Sequence, residues 1–334
     1  MAHITLKYFP QPSKDNQYIQ NTITALENAF ETKVDIVPSL KTAIQNPKML
    51  FQNPKSDVFI INWLENSLRG TNNRFSTLGA FKYLIYLFYF RLTAKKIIYV
   101  RHNIYPHNMK GWHAKAASIV SNMGEKLCHQ KVSHSGHLIK DGYAYVPHPL
   151  YTLTLSREIQ STLNNYYIMF GRIERYKKIE TVIKHWVLEE TLLIAGSVGD
   201  QAYLDELITL ATGKNVQFDA RFIPDDEAAL IVKKSNGVIL AHADEDMIVS
   251  GSFFFAITLG VPVFAVVKPF FSWLINEENF TDLYLFETSE QIVTTLEKKH
   301  SFDNQVIQVQ AEMFFGSVTT AQTWRKVIND LSKY

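Results

Sequence analysis

Apolar and polar positions along the chain follow two rhythms. Short, nearly continuous apolar runs alternate with stretches in which apolar residues recur every three or four positions. The first rhythm predicts strands buried on both faces, and the second predicts amphipathic helices. In the first half, strands fall at HITLKYF (3–9), KVDIV (33–37), DVFIINW (57–63), KKIIYVRHN (95–103) and KVSHS (131–135). Helices fall at 16–30, 78–92 and 113–128, and YAYVPHPLY (143–151) closes this half with two prolines. The alternation restarts at YYIMFGRI (166–173) and continues through TLLIAGS (191–197), NVQFDARF (215–222), GVILAHA (237–243) and VPVFAV (261–266). Helices lie between these strands at 179–187, 200–212, 224–235 and 251–260, and 322–334 is a terminal helix. No internal repeat interrupts the series.

Repeated strand–helix units predict an α/β chain with two Rossmann-like, doubly wound parallel-sheet domains facing a cleft. The 334 residues are about right for two cores. The boundary is expected near Pro147 and Pro149, giving domains 1–155 and 156–334, with the terminal helix crossing back. Ligands of such sheets bind outside the carboxyl ends of the strands. With two domains, the expected place is the cleft between them.

Composition narrows this picture. Hydrophobic residues make up 46% and charged residues 20%, as in ordinary globular chains. The single cysteine, Cys128, excludes an internal disulfide and a cysteine-based zinc site, and points to the cytoplasm. No charged start leads into a long apolar run, so no signal peptide is expected. Charge is uneven: residues 1–150 carry 18 Lys+Arg against 8 Asp+Glu, and the rest carry 16 against 24. A first half at +10 and a second at −8 suggest that the basic half meets phosphates or an anionic membrane surface. A nucleic-acid partner is not expected.

Two segments carry the candidate chemistry. In F-G-R-I-E-R-Y-K-K (170–178), Gly171 lets the chain turn at a strand tip, and Arg172 and Lys177 lie five apart across the turn. Two cations there suit a diphosphate leaving group, although a solvated basic turn has the same spelling. In D-E-D-M-I-V-S-G-S-F-F-F (244–255), Ser250, Gly251 and Ser252 open a helix after a strand. Such a start offers free backbone N–H groups to a phosphate, and it is equally an ordinary serine cap.

The order strand–GRIE-x-YK, LLIAG, NVQF, then a helix ending in LG-x-PV resembles the C-terminal domain of GT-B glycosyltransferases, and most nearly retaining family 4. The resemblance covers roughly 165–265 and implies that Gly171, Arg172 and Lys177 hold a donor diphosphate. It also implies that 219–223, with Arg221 and Phe222, borders the nucleobase. The family's two glutamates, eight positions apart, are absent. Their places fall on Met247 and Phe255, with Glu245 close to the first. The S-G-S start resembles a bacterial subgroup in which such helix starts bind the diphosphate. In the first half, F-P-Q-P-S-K-D-N-Q-Y (9–18) is similar to the acceptor side of bacterial polysaccharide glycosyltransferases.

R-H-N-I-Y-P-H (101–107) ends a strand where this fold places reacting groups. His102 is a candidate for a donor-sugar or acceptor contact, and Asn103 for a sugar hydroxyl. A structural histidine fits the position equally well. His102 and His107 lack a partner carboxylate or cysteine at metal-binding spacing, H-x-x-H at 134–137 reads as loop and capping, and His148 reads as structural. Asp244 and Asp246 form a D-x-D string beside a helix start, and it reads as donor-sugar contact or N-terminal charge. Neither a metal nor another cofactor is expected. The helix 78–92 has almost no polar face and is too short to span a bilayer. It is either a buried core helix or an in-plane membrane contact flanked by Arg91, Lys95 and Lys96.

These readings combine into one expectation: metal-independent transfer of a sugar from a UDP- or GDP-sugar to a hydroxyl. The acceptor is expected to be a glycan or a polyprenyl-diphosphate-linked lipid of bacterial surface polysaccharide, met at the inner face of the plasma membrane. The retaining outcome is implied by the resemblance. A GT-B-fold sugar-nucleotide epimerase and a non-catalytic nucleotide-sugar-binding subunit are the alternatives.

Overall fold

The apolar runs become parallel strands, and alternate residues along each strand feed different cores. The computed structural model describes residues 4–12, 16–37, 55–106, 109–153, 164–242, 248–297 and 303–333. By its internal contacts the chain divides into two units: Met1–Pro149 with Glu245–Val249 and Phe315–Tyr334, and Leu150–Asp244 with Ser250–Phe314.

In the first unit the strands are β1 (Leu6–Phe9), β2 (Val34–Ile36), β3 (Ser56–Asn62), β4 (Ala94–Arg101), β5 (Gln130–Ser133) and β6 (Ala144–Tyr145). They pair in parallel in the order β2-β1-β3-β4-β5-β6. Val58 and Ile60 of β3 and Ile98 and Val100 of β4 join one core with helix α1 (Gln17–Phe30). Their neighbours Phe59, Ile61, Ile97 and Tyr99 join the other core with α2 (Thr77–Thr93) and α3 (Gly111–Lys126). That division is the period-2 rule of a strand covered on both faces.

The second unit contains β7 (Tyr166–Phe170), β8 (Thr191–Ala195), β9 (Val216–Asp219), β10 (Gly237–Leu240), β11 (Val263–Val266) and β12 (Leu283–Phe286). Their order is β12-β11-β10-β7-β8-β9, again parallel throughout. The helices between them are α4 (Ile179–His185), α5 (Gln201–Leu210), α6 (Asp225–Lys233) and α7 (Gly251–Thr258). Strand order reverses between β1 and β3 in the first sheet and between β7 and β10 in the second. The carboxyl ends at these two points are where ligands of doubly wound sheets bind.

Between β11 and the terminal helix, where the pattern predicts nothing, the structure places four more elements. These are α8 (Pro269–Asn276), β12, α9 (Ser289–Leu296) and α10 (Asn304–Phe315). The terminal helix α11 (Ser317–Ser332) starts five residues earlier than its periodicity indicates. It packs on α1 in the first unit, where Trp324 is fully buried and the Arg325 Nε donates to the Ala29 carbonyl at 2.5 Å.

Helix α2 is neither simply buried nor simply exposed. Tyr83, Leu87 and Phe90 are core residues, while Leu78, Phe81, Ile85 and Phe88 face outward. The helix ends at Thr93, so Lys95 and Lys96 belong to β4, and Lys95 is ion-paired with Asp57 at 2.7 Å. Among the described residues no helix is long and apolar enough to cross a membrane.

Candidate functional site

In the second unit, β7 runs into Gly171 at φ +101°, a conformation that an L side chain adopts only under strain. A Cβ at that position would lie 2.6 Å from the Lys177 Nζ and 3.4 Å from the Ser252 Oγ. Lys177 and Ser252 both donate to the Phe170 carbonyl, at 2.7 and 3.0 Å. The missing side chain thus makes the space into which a buried ammonium folds back beside a helix start. Next to it, Gly196 brings the β8 tip against the same turn: a Cβ there would meet the Gly171 carbonyl at 2.3 Å.

Lys177 is buried, and desolvation pulls its ammonium down to about 8, against a smaller upward pull from Glu174. Ser250 caps α7, its Oγ accepting from the Phe253 amide at 3.4 Å. The Gly251 and Ser252 amides stand in the first turn, where no intrahelical acceptor exists. A buried cation, a hydroxyl and the positive end of a helix therefore meet at one strand tip. That combination attracts a multivalent oxyanion.

Arg172 takes a different position from Lys177. It is 62% exposed, and its Nε pairs with the Glu174 carboxylate at 2.9 Å. Arg221 follows β9 and is held by Asp219 at 2.8 Å and by Glu227 at the start of α6. Phe222 beside it is exposed. The place of the absent second glutamate is taken by Phe255, buried with its ring 5.4 Å from Tyr151 and 5.0 Å from Phe170. Glu245, like Asp244 and Asp246, lies outside the described residues, as does His107. His242, at the end of β10, is buried with its ring 5.7 Å from that of Tyr176. Its position after an apolar strand was a usable signal that the sequence reading did not single out.

At the carboxyl ends of the first sheet the arrangement is neutral and aromatic. His102 is buried, and its Nε2 meets the Asn62 Oδ1 at 2.9 Å. Its ring stacks on Trp63 with centroids 4.1 Å apart. Trp63 sits at φ 50°, a left-handed conformation that a bulky residue keeps only under constraint. The Tyr18 hydroxyl meets the His134 Nε2 at 2.7 Å, and the His134 Nδ1 meets the Val146 carbonyl at 2.8 Å. A carbonyl only accepts, so His134 carries its proton on Nδ1 and receives the tyrosine O–H at Nε2. The amide oxygen of Asn62 likewise accepts from His102 Nε2–H, which leaves the His102 Nδ1 as a lone pair.

Burial keeps these rings neutral. It pulls His134 down to about 4, and it pulls His102 and His148 well below the usual histidine value, with repulsion from His134 adding for both. His134 therefore does more than the loop and capping role expected of it: it links β5 to α1 through Tyr18. Asn103 is buried beside His102, and its carbonyl accepts from the Arg101 Nε at 3.0 Å. Arg101 also binds Glu125 at 3.0 Å and Asn122 at 2.7 Å, fixing the loop that carries His102 and Asn103. Asn62, Trp63, Tyr18 and Arg101 were not singled out in the sequence, and His134 was given only a loop and capping role. All except Tyr18 stand at or just after a strand's carboxyl end, and that position was the signal. Among the described residues no group of three or more His, Cys, Asp or Glu is arranged to hold a metal ion.

No known family signature matches the chain, and no curated protein matches it in sequence. Solved structures do. The chain is similar to HepE of Anabaena, solved with UDP and glucose, at 16% identity and a TM-score of 0.66, over 99% of this chain and 100% of that one. It is similar to AviGT4, a glycosyltransferase involved in avilamycin A biosynthesis, at 12% identity and a TM-score of 0.60, over 99% of each chain. A third is WaaB, a lipopolysaccharide outer core galactosyltransferase, at 14% identity and a TM-score of 0.57, over 99% of each. These neighbours are GT-B glycosyltransferases, and at such identities the likeness shows the fold.

Proposed function

We propose that this chain is a glycosyltransferase that moves a sugar from a UDP-linked donor to a hydroxyl of a glycan or lipid-linked acceptor. The observation that carries the reading is the meeting of Lys177, Ser252 and the α7 start at the Gly171 turn. Such a site suits a nucleoside diphosphate, whose negative charge grows as the sugar leaves. Uridine is favoured over guanosine by the likeness to HepE, which has been solved with UDP and with UDP-glucose. A role in bacterial surface polysaccharide is supported by the likeness to WaaB.

In the reaction the bond between the sugar's anomeric carbon and the β-phosphate oxygen breaks, and a bond to the acceptor oxygen forms. The acceptor proton passes to the departing phosphate, and the configuration is retained, as the family 4 resemblance implies. The second unit would hold the donor: Lys177 and the Gly251 and Ser252 amides neutralise the diphosphate, Arg172 adds an exposed cation, and Arg221, Phe222 and Glu245 serve the nucleoside side. His102, accepting through Nδ1, and Asn103, through its side-chain amide, are the candidates for contacts to sugar hydroxyls.

A thermal-shift screen with UDP, GDP and CMP tests the donor site directly. UDP at 100 times its dissociation constant should stabilise the fold by about 2.7 kcal/mol. Sugar transfer from a panel of UDP-sugars by the purified chain then tests the reaction. Absence of a shift with every nucleotide, together with no transfer, overturns the reading.

A further inference from the structure

Helix α2 shows its apolar residues on the wrong side for a water-facing helix. Leu78, Phe81, Ile85, Phe88 and Leu92 recur at i, i+3, i+7, i+10 and i+14, which is one stripe of a helix, and every one of them is exposed. Leu78 is 62% exposed, Phe81 61% and Phe88 67%. The opposite side is occupied by core residues, so the stripe has not simply turned away from a nearby core.

Helix α3 continues this surface. It lies against α2, with the Tyr83 hydroxyl donating to the Ser121 carbonyl at 3.3 Å and the Arg91 Nη1 donating to the Leu127 carbonyl at 3.1 Å. Trp112, Ile119 and Met123 are exposed on it. A two-helix apolar surface of this kind exceeds the scattered exposed residues of ordinary soluble proteins.

The exposed charges carried by the two helices all have one sign. Lys82 and Arg91 flank the α2 stripe, Lys115 and Lys126 stand on α3, and all four are exposed. Helix α2 contains no Asp or Glu. The one carboxylate of α3, Glu125, is buried against Arg101 and Tyr143. From this pairing of an apolar stripe with unopposed cations we infer that α2 and α3 form a docking surface for an anionic lipid membrane. The helices lie in its plane, with the apolar stripe about 5–10 Å into the headgroup region. A second copy of the chain is disfavoured as occupant, because self-association would bring these cations together. This inference rests on the surface alone and stands apart from the sugar-transfer reading.

Sedimentation with vesicles of phosphatidylglycerol and phosphatidylcholine tests it, with Trp112 emission as a second reading. The chain should pellet with these vesicles at low salt and shift its tryptophan emission to the blue. It should release in about 1 M salt, where the screening length falls to about 3 Å. Lys82→Gln and Arg91→Gln should each weaken binding about fivefold. Phe81→Ser with Phe88→Ser, both at exposed positions, should weaken it roughly tenfold or more. Far-ultraviolet circular dichroism should be unchanged in all of these variants, which reports that they are folded. Wild-type chain left in the supernatant at low salt overturns the inference. So does binding that is indifferent to both pairs of substitutions, or a wild-type dimer broken by the phenylalanine pair and without affinity for vesicles.

Discussion

The two sheets end in opposite chemistry. The carboxyl end of the first holds neutral rings that satisfy one another: Tyr18 on His134, Asn62 on His102, and His102 on Trp63. The carboxyl end of the second holds a buried ammonium and an open helix start, and Lys177 keeps its place against the desolvation that pulls it down to about 8. A neutral network fixes direction and costs little to bury once its hydrogen bonds are made. A buried cation is costly, and among the described residues no carboxylate lies at bonding distance of this one. The difference separates an end built from neutral hydrogen-bonded rings from an end built around a buried charge.

The largest break in that contrast should come from Lys177→Met. Met is similar in length and carries no charge, and the Phe170 carbonyl keeps Ser252 as a donor. Nucleotide affinity should fall by roughly 100-fold or more, as expected for loss of a charge-assisted contact to phosphate. Stability without ligand should rise by about 1–3 kcal/mol near neutral pH, since a desolvated charge is removed. Calorimetric titration with UDP and thermal melts measure both. A variant that is less stable and still binds UDP would contradict the assignment. Gly171→Ala should come next. A Cβ 2.6 Å from the Lys177 Nζ, at φ +101°, strains the turn and displaces the ammonium. Affinity should drop roughly 30-fold and stability by about 1–3 kcal/mol, with Gly213→Ala, also at positive φ but with open space around it, as the control for strain alone.

How legible this was in the sequence depended on the kind of signal. The parallel strands were plain because they are buried on both faces and spelled almost entirely in apolar residues. Four elements after β11 were not, for their strand is only LYLF and their helices are short or mixed in pattern. Gly171, Lys177 and Ser252 could be named because a glycine at a strand end, a nearby cation and a serine before an apolar helix each leave a local mark. Their convergence on the Phe170 carbonyl could not be seen, because Ser252 is 82 residues away. The first-unit network was less legible still. Asn62, His102 and His134 stand at or just past the ends of three separate strands, and His134 looked like one half of a loop motif. Helix α2 gave the right composition and an unresolved direction, because periodicity does not reveal which face meets the core.

Acidity offers a finer reading of the second site. With a lysine at about 8, the ligand-free chain loses its proton above that pH. A bound diphosphate raises the ammonium again, so binding above pH 8 must take up a proton. UDP affinity should be level just below pH 8 and then fall about tenfold per unit above it. The ligand-free fold should show the opposite trend. Between about 8 and 10.5 the unfolded chain holds more of this proton than the folded one, so stability rises across that window. Lys177→Met should abolish both slopes. Parallel titrations and melts from pH 7 upward check the two signs together, and a UDP affinity level through pH 9 would show that this ammonium does not meet the phosphates.

The smallest effect should come from the neutral end, and it should appear in turnover alone. Asn62 accepts from the His102 Nε2 at 2.9 Å and so keeps the Nδ1 lone pair available. Asn62→Ala removes that acceptor and frees the ring to exchange tautomers. Trp63 still stacks on it, so the ring stays in place and only its proton becomes mobile. A loss of kcat of about twofold to tenfold is expected from a mixed tautomer population. UDP affinity should not change, since no group at the Gly171 turn is touched. Nitrogen chemical shifts of the His102 ring would report the tautomer directly, Nδ1 unprotonated in the wild type and averaged in the variant. Reduced turnover with an unchanged tautomer would assign Asn62 a packing role. Reduced turnover with an averaged one would identify it as the residue that positions His102 by choosing where its proton resides.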